Sequence, residues 1–71
     1  MERIPVQSSN LFSVGYDSQT SILEIEFNNG SIYQYSGVPQ EVYEGLMNAG
    51  SKGSYFHHNI KRGGYPYIRI T

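Results

Sequence analysis

The chain has no cysteine, so neither a disulfide nor a thiolate metal site can hold it together. No run approaches the ~18 apolar residues of a membrane-crossing helix, and Met1-Glu2-Arg3-Ile4-Pro5 lacks the apolar stretch of a secretory signal. No membrane association is expected, and the cytoplasm is the expected location. The net charge is only −1, which argues against strong non-specific attraction to nucleic acid. Repeats, low-complexity runs and linkers are also missing. With 71 residues the chain is a single domain, residues 1–71, near the lower size at which a fold stands without a metal, a disulfide or a partner.

Aromatic residues have to compensate for the missing staples. Seven tyrosines and three phenylalanines each offer a large area to bury, and a tyrosine can pack its ring while its hydroxyl stays in water. The charges are unevenly placed. Glu2, Asp17, Glu24, Glu26, Glu41 and Glu44 face the single cation Arg3 in the first part of the chain. Residues 45–71 carry no acid and hold Lys52, Lys61, Arg62 and Arg69, with His57 and His58 beside them.

Leu11 to Tyr16 has strand composition, and Asp17-Ser18-Gln19-Thr20 is a run of turn formers. Leu23, Ile25 and Phe27 alternate with Glu24 and Glu26, the period of a strand with one face in the core and one in water. Asn28-Asn29-Gly30 leads into a return strand, Ser31 to Ser36. A two-residue turn there would pair Phe27 with Ile32 and leave Tyr33 and Tyr35 on the glutamate face. A three-residue loop with a glycine bulge pairs Ile25 with Tyr33 and Leu23 with Tyr35, bringing both rings to the core. The bulge is favoured, because the other register puts Gln34 in the apolar layer and two large rings outside it.

Pro39 and Glu41 predict a helix start, with Pro39 at the first helical position, and Val42, Leu46 and Ala49 form one stripe beside Tyr43 and Met47. Ser51 predicts the cap of a second helix that buries Phe56 and Ile60 and ends at Gly63-Gly64. Tyr65 to Ile70 reads as a last strand, with Pro66 marking a sheet edge or a strand start. The expectation is an α+β fold in the order β-β-β-α-α-β, a small curved antiparallel sheet with two helices on one face.

A set of spacings now stands together: Ser8-Ser9-Asn10, Val14-Gly15-Tyr16-Asp17, Leu23 to Phe27, and Gly30 to Tyr35 with its central Tyr33-x-Tyr35. Val38-Pro39, Leu46-Met47, Ser51-Lys52-Gly53, Tyr55-Phe56 and Asn59-Ile60-Lys61 follow. Over residues 7–70 this resembles the KTSC domain, a small module of the C-terminus of some lysyl-tRNA synthetases and of free-standing bacterial proteins. The resemblance implies a binding role, with RNA as the ligand its synthetase attachment suggests.

Ser51-Lys52-Gly53 offers free backbone N–H groups, a cation and room for an anion at a helix start, although a serine cap and a solvated lysine explain the same residues. His57 with Lys61 and His58 with Arg62 are four apart and present a basic helix face. Tyr55, Tyr65 and Tyr67 are interleaved with these cations, as in proteins that stack single-stranded bases. Adjacent His57 and His58 diverge by roughly 100° on a helix and make a poor chelating pair, so no metal and no other cofactor is expected. Glu24 and Glu26 read as solvated strand carboxylates. No catalysis is expected. The leading expectation is a binding module for RNA or single-stranded nucleic acid, with Lys52, Lys61, Arg62 and Arg69 on phosphates, Tyr55 or Tyr65 stacking, and Gly53 and His57 beside them. The rival is a protein-interaction or self-assembly domain.

Overall fold

A computed structural model describes all residues, 1–71. Strands β1 (Ile4–Pro5), β2 (Leu11–Asp17), β3 (Ile22–Phe27) and β4 (Ile32–Tyr35) precede helices α1 (Gln40–Asn48) and α2 (Lys52–Asn59), a 3-10 turn at Lys61–Gly63 and strand β5 (Tyr67–Arg69). The five strands form one antiparallel sheet in the spatial order β1-β2-β3-β4-β5. The expected α+β class holds. The order gains one strand, β1, whose two residues are too few to show an alternation in the sequence.

The β3–β4 turn takes the three-residue form with the glycine bulge. Gly30 has φ 91°, a left-handed conformation that costs glycine little. The Gly30 N–H donates to the Phe27 carbonyl at 2.9 Å, and the Phe27 N–H donates to the Ser31 carbonyl at 2.9 Å. Leu23 therefore pairs with Tyr35 and Ile25 with Tyr33. A second bulge, in β2, makes Leu11 and Ser13 span only Phe27 and Glu26. It turns Leu11 into the core with Val14 and leaves Phe12 exposed.

Both helices cover the same sheet face. Leu46 from α1 and Phe56 and Ile60 from the α2 end pack with Val14, Leu23 and Ile25 in one buried cluster. The Tyr16 and Tyr43 rings stack at 4.8 Å, and the Tyr16 hydroxyl donates to the Val38 carbonyl at 2.6 Å, fastening α1 to β2. Pro39 is the cap of α1 rather than its first residue, because its ψ of 152° is extended. No helix is long and apolar enough to cross a membrane.

The opposite sheet face departs from the expectation of solvated glutamates. Glu24 is only 6 % exposed. Arg3, placed by β1 over β2, pairs with Glu24 and reaches Glu26 at 3.6 Å, while its Nε donates to Ser13 Oγ at 3.0 Å. Gln34 Nε2 donates to the other Glu24 oxygen at 2.7 Å. Gly15 leaves room for this strand, since a Cβ there would lie 2.5 Å from the Glu2 carbonyl oxygen.

Burial works to raise the Glu24 pKa, but the bonds from Gln34 and Arg3 outweigh it and hold the carboxyl below its ordinary 4.5. A depressed folded pKa gives stability that is present above the unfolded value and lost as pH falls through the folded one. Glu24→Gln should therefore lower stability by about 1–3 kcal/mol at neutral pH and flatten the loss of stability below pH 4.5. Urea unfolding of both proteins across that range checks it, and equal midpoints at neutral pH would contradict it.

Candidate functional site

The segment before β2, the β3–β4 turn and the exposed side of α2 meet at one end of the sheet, and a groove opens between them. Its polar part, a cavity of about 370 Å³, is lined by Ser9, Asn10, Asn28, Asn29, Gly53 and His57. Its aromatic part, about 420 Å³, is lined by Ser31, Tyr33, Tyr35 and Tyr67. Phe27, Asn29, Phe56 and Lys61 line both, so the two parts adjoin, and Lys61 is the one cation on their shared border.

The polar part is built by local hydrogen bonds. Ser8 Oγ accepts from the Asn10 and Leu11 N–H groups, each at 3.2 Å, which curls the chain just before β2. The Asn28 N–H donates to the Asn10 carbonyl at 2.9 Å, and Asn28 Nδ2 donates to the Ser9 carbonyl at 2.9 Å. Asn29 Oδ1 accepts from the Ser31 N–H at 3.0 Å and from Ser31 Oγ at 2.7 Å. These bonds occupy Asn28 Nδ2 and Asn29 Oδ1. They leave Asn10 Nδ2, Asn28 Oδ1 and Asn29 Nδ2 without an intramolecular partner. Gly53 lets the curled segment approach α2, since a Cβ there would lie 3.2 Å from Asn10 Nδ2. Asn10 and Gly53, far apart in sequence, thus meet at the groove.

The aromatic part is a layer of rings. Tyr67 lies 5.9 Å from Tyr33 and 5.6 Å from Tyr35 between ring centroids, and Phe56 meets Phe27 and Tyr35 edge to face. Tyr35 is buried, whereas Tyr67 on the edge strand is 62 % exposed. Burial first, and then neighbouring Tyr33 and Tyr67, push the Tyr35 phenol up to about 12. The pairing of Arg69 with Tyr33 across β4 and β5 puts Arg69 on the tyrosine face, where its Nε donates to the Thr71 carbonyl at 3.0 Å.

Of the residues nominated by sequence, Gly53, His57, Lys61, Tyr33 and Tyr35 line the groove, and Arg69 pairs with Tyr33 on the same sheet face without lining it. Lys61 is exposed, and every ion pair in the chain belongs to Arg3. Ser51 caps α2, accepting from the Ser54 N–H at 3.3 Å, and Lys52 Nζ donates back to the Ala49 carbonyl at 3.2 Å. Neither residue lines the groove, and nor does Arg62. The Tyr55 ring is seated against Gly45 of α1 and the Tyr65 ring against Gly63, so both pack on the protein's own backbone, where stacking of a ligand had been expected. The exposed ring is Tyr67. His58 Nδ1 donates to the Ser54 carbonyl at 2.9 Å, and no cluster of three or more His, Cys, Asp or Glu side chains could hold a metal.

Asn10, Asn28 and Asn29 line the groove although the sequence assigns them no binding role, and Tyr67, which the sequence notes only among the interleaved rings, is the exposed one. Asparagine before a strand or in a turn reads as turn chemistry, and only the three-dimensional meeting of the two turns reveals which amides remain free.

The KTSC domain family model matches residues 7–65. The crystal structure of a KTSC domain protein from Yersinia pestis superposes with a TM-score of 0.91 at 42 % identity, covering 99 % of this chain and 97 % of that one. An uncharacterised protein of Stutzerimonas stutzeri is 46 % identical over 99 % of both chains. A lysine–tRNA ligase of Trichormus variabilis is 48 % identical over 79 % of this chain, which accounts for 10 % of that enzyme.

Because the Tyr35 pKa is raised above 10.0, its contribution to stability is complete below that pH and is lost as pH rises toward about 12. Wild type should lose stability more steeply than Tyr35→Phe between pH 10 and 12, as read from urea midpoints. Parallel profiles would show that the ring is not held as described.

Proposed function

The chain belongs to the KTSC domain family, and from that premise we propose that it is a non-catalytic module that binds single-stranded nucleic acid, RNA foremost, through the groove between the β3–β4 turn, α2 and β5. The observation that carries this reading is Lys61, an exposed cation without an ion-pair partner, standing between tyrosine rings and a set of free amides. A single strand needs these three things: a cation for the phosphate, a flat apolar surface for the base, and donors and acceptors for the base edge. The similarity to a segment of lysine–tRNA ligases supports RNA as the ligand. A net charge of −1 means that few phosphates are neutralised, so recognition rests on Lys61 and Arg69 more than on a broad basic field.

The alternative, a protein-interaction or self-assembly domain, draws on Phe12 at the β2 bulge and Ile68 on the edge strand β5, exposed by 54 % and 61 %. Sedimentation separates the two. A monomer that binds an oligonucleotide supports the groove, and a self-associating species indifferent to oligonucleotide supports the alternative.

Titration of a labelled single-stranded RNA at several salt concentrations should give a shallow slope, about −0.7 in log K against log salt for each phosphate contacted. Lys61→Ala should weaken binding several-fold and reduce the slope by about 0.7, while Lys52→Ala changes neither. Equal effects of the two substitutions would count against the groove.

A further inference from the structure

Resting on the single-strand reading, we infer that the ligand is a splayed pair of linked, unpaired nucleotides, one base in each part of the groove and the phosphate between them beside Lys61. The two parts differ in chemistry. The aromatic part presents the exposed Tyr67 ring and its neighbours Tyr33 and Tyr35, a surface for the flat face of a base of any identity. The polar part presents the unpartnered amide atoms of Asn10, Asn28 and Asn29, which can meet donors and acceptors on a base edge.

Stacking a base takes its face, and bonding to an amide takes its edge. A duplex conceals both, because each base is stacked on its neighbours and its edge is paired. A strand laid along the groove with both bases on the tyrosines would leave the amides unused. A strand with both bases against the amides would leave the Tyr67 ring in water. Of the four residues that line both parts, Phe27, Asn29, Phe56 and Lys61, Lys61 is the one cation, so the phosphate that links two such nucleotides is placed beside it. The lysine ammonium on its flexible stem follows that phosphate without requiring a fixed geometry. Two linked nucleotides are therefore the smallest complete ligand.

A length series measured on the full chain tests this, using an unlabelled nucleoside monophosphate, a dinucleotide, a tetranucleotide and an octanucleotide at one low salt concentration, followed by calorimetry. The dinucleotide should bind roughly tenfold or more tightly than the mononucleotide. Beyond it, affinity should rise only by the number of overlapping sites. Tyr67→Ala and Asn10→Ala, both at exposed side chains, should each reduce the dinucleotide to the level of the mononucleotide while circular dichroism stays unchanged. Affinity that climbs smoothly with length, or a mononucleotide that binds as well as the dinucleotide, overturns the two-nucleotide site and leaves the single-strand reading standing. An octanucleotide that does not bind at all overturns both.

Discussion

Gly30 turns the chain back with a φ of 91°, and the extra residue of that bulge decides which side of the sheet receives Tyr33 and Tyr35. Side chains alternate along a strand, so a turn shorter by one residue would carry both rings to the glutamate face and Gln34 into the core. With the bulge in place, Tyr35 closes the core against Phe56. Tyr33 and Tyr67 line the groove, and Gln34 meets Glu24 on the far side. The same backbone reversal also sets Asn28 and Asn29 beside the curled Ser8–Asn10 segment. Core, groove and outer polar cluster all inherit their arrangement from one left-handed residue.

Small size explains how the remaining surface is used. A chain of 71 residues without cysteine has little apolar volume to spend on two layers. The helices close one face of the sheet with aliphatic and aromatic packing. The other face is closed by charge: Arg3 bridges Glu24 and Ser13 across the sheet, with Gln34 completing the carboxylate's partners. A buried carboxylate is costly unless its oxygens are bonded, and here both are. Of the six early carboxylates, Glu24 and Glu26 are thus drawn into this cluster by the single arginine, while Glu2, Glu41 and Glu44 stay exposed.

Much of this was legible from residues. The alternation of Leu23 to Phe27, the choice of bulge at Asn28-Asn29-Gly30, the Ser51 cap and the apolar stripe of α1 follow from local rules, and the observed register and elements agree with them. Local rules stop where distant segments meet. Nothing near Glu24 in sequence announces Arg3, and a two-residue strand has no period to detect. Tyr55, Tyr65 and Tyr67 look alike in a string of letters. What separates them is Gly45 beneath the first ring, Gly63 beneath the second, and the open side of an edge strand beneath the third. Among the cations, Lys52 folds back on its own helix cap, while Lys61, beyond the end of α2, stands over the groove. Which of four similar charges matters is thus a question of where each stem is anchored.

Chemical-shift mapping on an isotopically labelled chain, with a short single-stranded RNA added in steps, tests the central claim most directly. The groove account predicts that the amide signals that move are those of Asn10, Asn29, Gly53, Lys61 and Tyr67, with Lys52, Tyr55 and the Arg3–Glu24 face unmoved. Shifts centred on Phe12 or on Ile68, with the groove silent, would contradict it.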